Sequence, residues 1–132
     1  MPERKAFQYA ILRVVPSVER GERLNVGVAL LCPERRFVGA RVALDEARLA
    51  ALAPSLQPAE VRTALEGIVA VAEGDPSAGP LARLSPSERF GWLAAASSTV
   101  IQPSAVHTGM TDDPVQTLEH LFATLVLPDQ GR

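Results

Sequence analysis

Leu24-Asn-Val-Gly-Val-Ala-Leu-Leu-Cys32 is the stretch on which the fold turns. Its pattern has a period of two: Leu24, Val26, Val28, Leu30 and Cys32 fall on one side, and Asn25, Gly27, Ala29 and Leu31 on the other. That is the period of a strand, because successive side chains leave opposite faces of a sheet. The first side is apolar throughout, and the second is mostly small. Upstream, residues 7–15 are rich in aromatic and β-branched types and predict a strand with Phe7, Tyr9, Ile11 and Val15 on one face. Residues 16–22 connect the two strands, with Gly21 supplying permissive backbone for a turn. Downstream, Pro33-Glu-Arg-Arg36 is a short turn, and residues 37–44 predict a third strand with Val38, Ala40, Val42 and Leu44 aligned. Short connections between three successive strands imply an antiparallel meander.

Beyond residue 44 the periodicity becomes helical. Residues 45–53 form a helix with Asp45 as N-cap, stopped by Pro54. Pro58 suits the first turn of a second helix over 59–73, where Val61, Leu65, Ile68, Val69 and Ala72 make one apolar stripe. Residues 74–80 are a loop by composition. Ser85-Pro-Ser-Glu88 has capping-box spacing and opens a short helix holding Phe90, Trp92 and Leu93. Residues 99–102 are apolar and β-branched and predict a fourth strand; residues 104–113 are polar and glycine-containing. Asp113-Pro114 starts a last helix burying Val115, Leu118, Leu121, Phe122, Leu125 and Val126, and Pro128 ends it. The order β-β-β-α-α-α-β-α predicts an α+β fold: an antiparallel sheet of about four strands with three to four helices packed on one face. A single domain over 1–132 is expected, with frayed ends at 1–5 and 128–132.

Composition narrows the chemistry. The 132 residues carry 13 basic and 15 acidic side chains, for a net charge of −2. Residues 1–48 hold nine basic and six acidic residues, and residues 49–132 hold four and nine. A net +3 without aromatic interleaving is a weak electrostatic footprint, which argues against nucleic acid as a partner. One cysteine, Cys32, and two histidines, His107 and His120, leave no disulfide framework and no His/Cys metal cage. The longest apolar run, 26–32, has seven residues, far below the roughly 20 of a membrane span. With no cleavable apolar segment near Met1, a cytoplasmic location is expected. The phosphate loop G-x-x-x-x-G-K, the dinucleotide motif G-x-G-x-x-G, and the H-E-x-x-H and G-x-S-x-G motifs do not occur, and nothing calls for a cofactor.

Three stretches are more specific than generic α+β sequence. Tyr9-Ala-Ile-Leu-Arg-Val-Val-Pro16 leads through Glu19-Arg-Gly-Glu22 to Asn25-Val-Gly-Val28. Ser98-Thr-Val-Ile-Gln-Pro103 and Val106-His-Thr-Gly109 follow later. In this order and spacing they resemble the bacterial DUF3037 family, a domain of unknown function, over nearly the whole chain. The resemblance implies a small bacterial domain with no accepted catalytic residues. Such proteins are often encoded beside HipA-like kinases, so the resemblance also implies a kinase-like partner.

The residues themselves offer several candidate sites, each with a plainer explanation. Arg13 shares a strand face with Tyr9 and Ile11, where a buried charge needs a partner. The plainer readings are a structural ion pair, with Glu22 or Glu19 as the partner near the end of the hairpin, or a strand-end Arg13 facing water. Alternatively, Arg13 presents a fork to a carboxylate or phosphate, with Asn25 orienting the ligand. Gly27, with Asn25 and Ala29, makes a small-residue face for a packed helix or for a ligand or partner. Gln102, His107 and Thr108 lie in or beside a loop where His107 either binds an anion or acts as acid or base, or else Ser104 and Thr108 merely satisfy loop backbone and His107 bonds a carbonyl. A Cys32/His107 nucleophile pair competes with Cys32 as a small core hydrophobe. Asp112 and Asp113 suit a hard cation or, more simply, helix capping, and Asp45 and Glu46 read the same way. The lack of a catalytic constellation points to a non-enzymatic protein-binding module. The alternative is a small-molecule or nucleotide-binding protein, at most a weak hydrolase, with a site built from Arg13, Glu22, Asn25, Gln102, His107 and Thr108. An exposed sheet edge also permits a homo-oligomer.

Overall fold

β2 (Leu24–Cys32) has no face turned to water: all its residues except Asn25 are buried. A strand without a polar face must be covered on both sides, and this requirement shapes the molecule. The structure is a computed structural model that describes residues 3–95 and 100–128. β1 (Lys5–Val14) and β3 (Phe37–Val42) flank β2, and a 3₁₀ turn, Pro33–Arg35, joins β2 to β3. Then come α1 (Glu46–Leu52), α2 (Pro58–Glu73), a kinked 3₁₀ segment (Pro76–Arg83) and α3 (Pro86–Ala95). β4 (Ile101–Pro103), β5 (His107–Thr111) and α4 (Pro114–Leu125) complete the order. All pairings are antiparallel: β3 pairs with β2, β2 with β1, and the far edge of β1 carries β4 and β5 one after the other. The fold is α+β.

The helices divide between two layers. Ala29 and Leu31 pack with Val71 and Ala72 of α2 and with Phe90 and Leu93 of α3. Val28, Leu30 and Cys32, on the opposite face, pack with Leu118 and Phe122 of α4 and with Val126. The sheet therefore lies between α1–α3 and α4, where the sequence led us to expect one helical layer. The physical reason lies in β2, whose small side (Gly27, Ala29, Leu31) is as fit for burial as its large side.

The expected alternation of β2 also breaks once. Leu12 pairs with Gly27 but Arg13 pairs with Asn25, so Val26 is an extra residue, a β-bulge. The side chains of Leu24 and Val26 therefore join Leu12, Val14, Leu49, Val61 and Leu65, and do not continue the row of Val28, Leu30 and Cys32. In β1 the fully buried residues are Ala10, Leu12 and Val14, facing α1–α3. Tyr9, Ile11 and Arg13 are half-buried on the α4 side, and Val15 lies beyond the strand. A Cβ at Gly27 would lie 2.9 Å from both Arg41 O and Val42 Cγ1, and 3.0 Å from Leu12 Cδ1. Its smallness thus serves close packing within the sheet and core. The bulge places Asn25 on the other face, so the two do not form the shared groove considered above.

Helix starts follow the sequence closely. Asp45 accepts from Arg48 N–H and Asp113 from Gln116 N–H, while Ser85 and Glu88 bond each other's backbone N–H reciprocally. The fourth strand runs over Ile101–Pro103, and Thr99, expected in it, lies outside the described residues. Part of the polar stretch 104–113 is not a loop but β5, a half-exposed edge strand held by β1 on one side.

Candidate functional site

Cross-strand pairing gathers three polar residues into one row. Arg13 lies directly opposite Asn25 of β2 on one side and Gln102 of β4 on the other, so all three project from the same face. This is the α4 face, and α4 covers only part of it. Arg41 sits over the Phe122 ring, 4.6 Å from its centroid, and forms an ion pair with Glu119, fixing the helix above β2 and β3. Asn25 Nδ2 donates to Leu125 O at 2.9 Å and ties the row to the end of α4. The outer rows of β1 remain half-open.

Arg13 is the unusual member of the row. Its Nε is buried without a hydrogen-bond partner, and no carboxylate pairs with the side chain among the described residues. Desolvation, followed by the positive charge of Arg23, pulls its pKa below the ordinary arginine value. Arginine nevertheless stays charged in proteins, so a cation with one unsatisfied N–H lies in the field of a second one. The expected rescue by Glu22 or Glu19 does not occur. Glu22 binds Arg20 in the exposed connection, Oε1 to Nε at 2.6 Å, and Glu19 forms no ion pair among the described residues.

His107 is on the same face but not in the row. It pairs with Tyr9, and the two rings stack with centroids 5.1 Å apart at 29°. Tyr9 and Arg13 are four residues apart on β1, roughly 13 Å at the rise of a strand, with Ile11 between them. Thr108 pairs with Gln8 and so points to the opposite face. The structure thus brings together Arg13, Asn25 and Gln102, sets His107 apart on the same face, and leaves Glu22 and Thr108 elsewhere.

One contributor, Arg23, escaped the sequence reading, and Ser104 satisfies backbone groups as the sequence allowed. Arg23 immediately precedes β2, two residues before Asn25, a spacing that puts both on one face of an extended chain. Ser104 is buried in the joint between β4 and β5. Its N–H donates to Ile11 O at 2.8 Å, its Oγ accepts the Ile11 N–H at 2.8 Å, and the same hydroxyl donates to Ala105 O at 2.8 Å. A side chain here replaces a ladder carbonyl, letting residues 105–106 leave the sheet without orphaning Ile11.

The remaining candidates take structural roles. Cys32 is fully buried among Phe7, Leu118 and Phe122, while His107 is exposed on Tyr9, so the two make no nucleophile–base pair. Asp45 and Asp113 are caps. Among the described residues no group of three or more His, Cys, Asp or Glu side chains is placed to hold a metal ion, and no helix is long and apolar enough to cross a membrane. On the α1–α3 side, a cavity of about 540 Å³ is lined by Leu12, Ile68, Trp92, Ile101 and Pro103, with Glu66 as its charged residue.

No curated protein and no solved structure matches this sequence. A family model described as a protein of unknown function, DUF3037, matches residues 9–126, from the middle of β1 to the residue after α4. With that match covering most of its length, the chain belongs to the DUF3037 family.

Proposed function

We propose that this chain is a binding module without chemistry of its own, which grips an acidic group of a protein partner through Arg13. The observation behind this reading is the partly buried side chain of Arg13, with its Nε unsatisfied and the charge of Arg23 acting on it. A guanidinium in such a place gains most from a carboxylate or phosphate bound through parallel N–H donors, and Gln102 and Asn25 offer amide groups beside it. Neither the cavity of about 540 Å³ nor a smaller one lined by Val42, Leu44 and Leu65 includes any of these three side chains. An open sheet face suits a protein surface better than a small molecule, whose sites are concave. Family association makes a HipA-like kinase the first partner to try, in the bacterial cytoplasm.

The test is calorimetric titration of the protein with a HipA-like kinase encoded by the same host. Wild type should bind, and Arg13→Met should weaken binding by at least tenfold, with the difference shrinking as salt screens the charge. Equal binding by both proteins would remove Arg13 from the interface. If the kinase does not bind, and denaturing wild type releases a small anionic molecule that Arg13→Met does not carry, the same row serves a small-molecule site.

A further inference from the structure

The two edges of the sheet are protected very differently. β3 carries Arg41, which is paired with Glu119, and both α2 and α4 pack against it. On the other edge, β4 ends in Pro103, which has no N–H to offer, and the Ser104 joint turns residues 105–106 away from β1. Among the described residues β5 has none of these devices, although one exposed side chain reaches its backbone, Arg4 Nη2 donating to Met110 O at 3.3 Å. His107-Thr-Gly-Met-Thr111 contains no lysine, carboxylate, proline or bulge, and β1 is its partner on one side only. An edge of this kind is a template for another strand.

Antiparallel pairing of β5 with its own copy about Gly109 meets the local chemistry. His107 then lies opposite Thr111 of the second copy, Thr108 opposite Met110, and Gly109 opposite itself, so no like charges meet. Met110, a large apolar residue left 52% exposed in one chain, lies directly opposite Thr108 of the second copy and is covered across the seam. Asp112 follows Thr111 in sequence and therefore comes to the His107 end of the other chain, placing an acid beside an imidazole. The two-fold axis stands perpendicular to the sheet, so the pairing closes as a dimer instead of growing into a filament. It also sets both Arg13 rows on the same side. We infer that β5 is the dimerisation edge of this protein, pairing antiparallel with β5 of a second copy to run one sheet through both chains.

Sedimentation equilibrium of the full chain, from low micromolar to near-millimolar concentration, tests the inference. The wild-type mass should climb from 14.1 kDa toward twice that value. Thr108→Lys/Met110→Lys, which opposes lysines across the seam, should stay monomeric. Thr108→Lys/Met110→Glu, which opposes unlike charges in this register, should regain the dimer. Monomeric wild type at the highest concentration, or a dimer indifferent to the lysine pair, overturns the proposal. Failure of the charge-matched variant to recover, while remaining folded, refutes the register about Gly109. Hydrogen exchange on wild type gives an independent readout: β5 amides should gain protection with concentration while those of β3 do not. Protection of β5 independent of concentration would also overturn the proposal.

Discussion

Replacing Arg13 with methionine separates a residue kept for stability from one kept for binding. Methionine retains most of the aliphatic stem that packs beside Ile11 and removes the charged head. Were Arg13 half of a buried ion pair, truncation would strand the partner charge and cost about 3–5 kcal/mol. No such partner is present, and the Nε already lacks an acceptor. A buried donor left unsatisfied costs about 1–3 kcal/mol, and the half-exposed side chain calls for the lower end. Relief of about 1 kcal/mol is therefore expected. With an unfolding entropy of roughly 2.1 cal/mol/K per residue over this chain, 1 kcal/mol corresponds to about 3–4 °C. Differential scanning calorimetry at low ionic strength should show Arg13→Met melting about 3 °C above wild type. Inorganic phosphate should narrow the gap by stabilising wild type selectively. A variant that melts several degrees below wild type would refute the reasoning, since it would mean the guanidinium holds the fold together.

Ser104→Ala removes the acceptor of a buried backbone N–H and should cost about 1–3 kcal/mol, whereas Ser104→Thr keeps the hydroxyl and should lose much less; urea midpoints of the two variants decide. Gly27→Ala drives a methyl into Arg41 O and Val42 Cγ1 and should cost about 1–3 kcal/mol. Gly67→Ala, in α2 with nothing within 4 Å of the new atom, should gain up to about 1 kcal/mol from helix propensity. A Gly27→Ala midpoint at or above that of wild type would mean the close packing at Gly27 is wrong, and a Gly67→Ala midpoint well below it would refute the open helical site. Hydrogen bonds from Ser85, the hydroxyl first and the backbone N–H second, hold the Glu88 carboxyl below its usual range. Because the folded value is depressed, this contribution is present above the unfolded glutamate value of about 4.3 and is lost as pH falls through the lower folded value. The stability gap between wild type and Ser85→Ala should close on acidification, and a gap constant with pH would count against the capping box.

Where single residues punctuate the chain, the sequence was sufficient. Asp45, Pro58, Ser85 with Glu88, and Asp113 with Pro114 set the helix starts, because capping is local chemistry between neighbours. What escaped notice depends on residues far apart. The bulge at Val26 is an offset between two strands, and neither strand records it alone. β5 is polar because it is an edge, and polarity at an edge looks like a loop until β1 is placed beside it. The second helical layer was readable in principle, since Ala29 and Leu31 leave β2 no polar side. For the site, strand parity correctly put Arg13 with Tyr9 and Ile11. Cross-strand pairing sets Asn25 and Gln102 beside Arg13, whereas Glu22 and Thr108 lie elsewhere, because proximity in sequence says nothing of which face a side chain leaves. Arg13's lack of a counter-charge, the property that gives the site its interest, emerges only once Glu22 is seen paired with Arg20 and Glu19 is seen to form no ion pair among the described residues.

The Ser104–Ile11 joint links residues 93 positions apart, and that separation has a temporal side. During synthesis the β1–β2–β3 meander emerges first, its outer β1 edge bare, and the strands that cover this edge come from the last third of the chain. At roughly 5–20 residues per second, translation leaves that edge uncovered for about 5–20 s on every molecule made. The nascent protein carries an unpaired strand edge through that interval, whose length is set by where its final two strands are encoded.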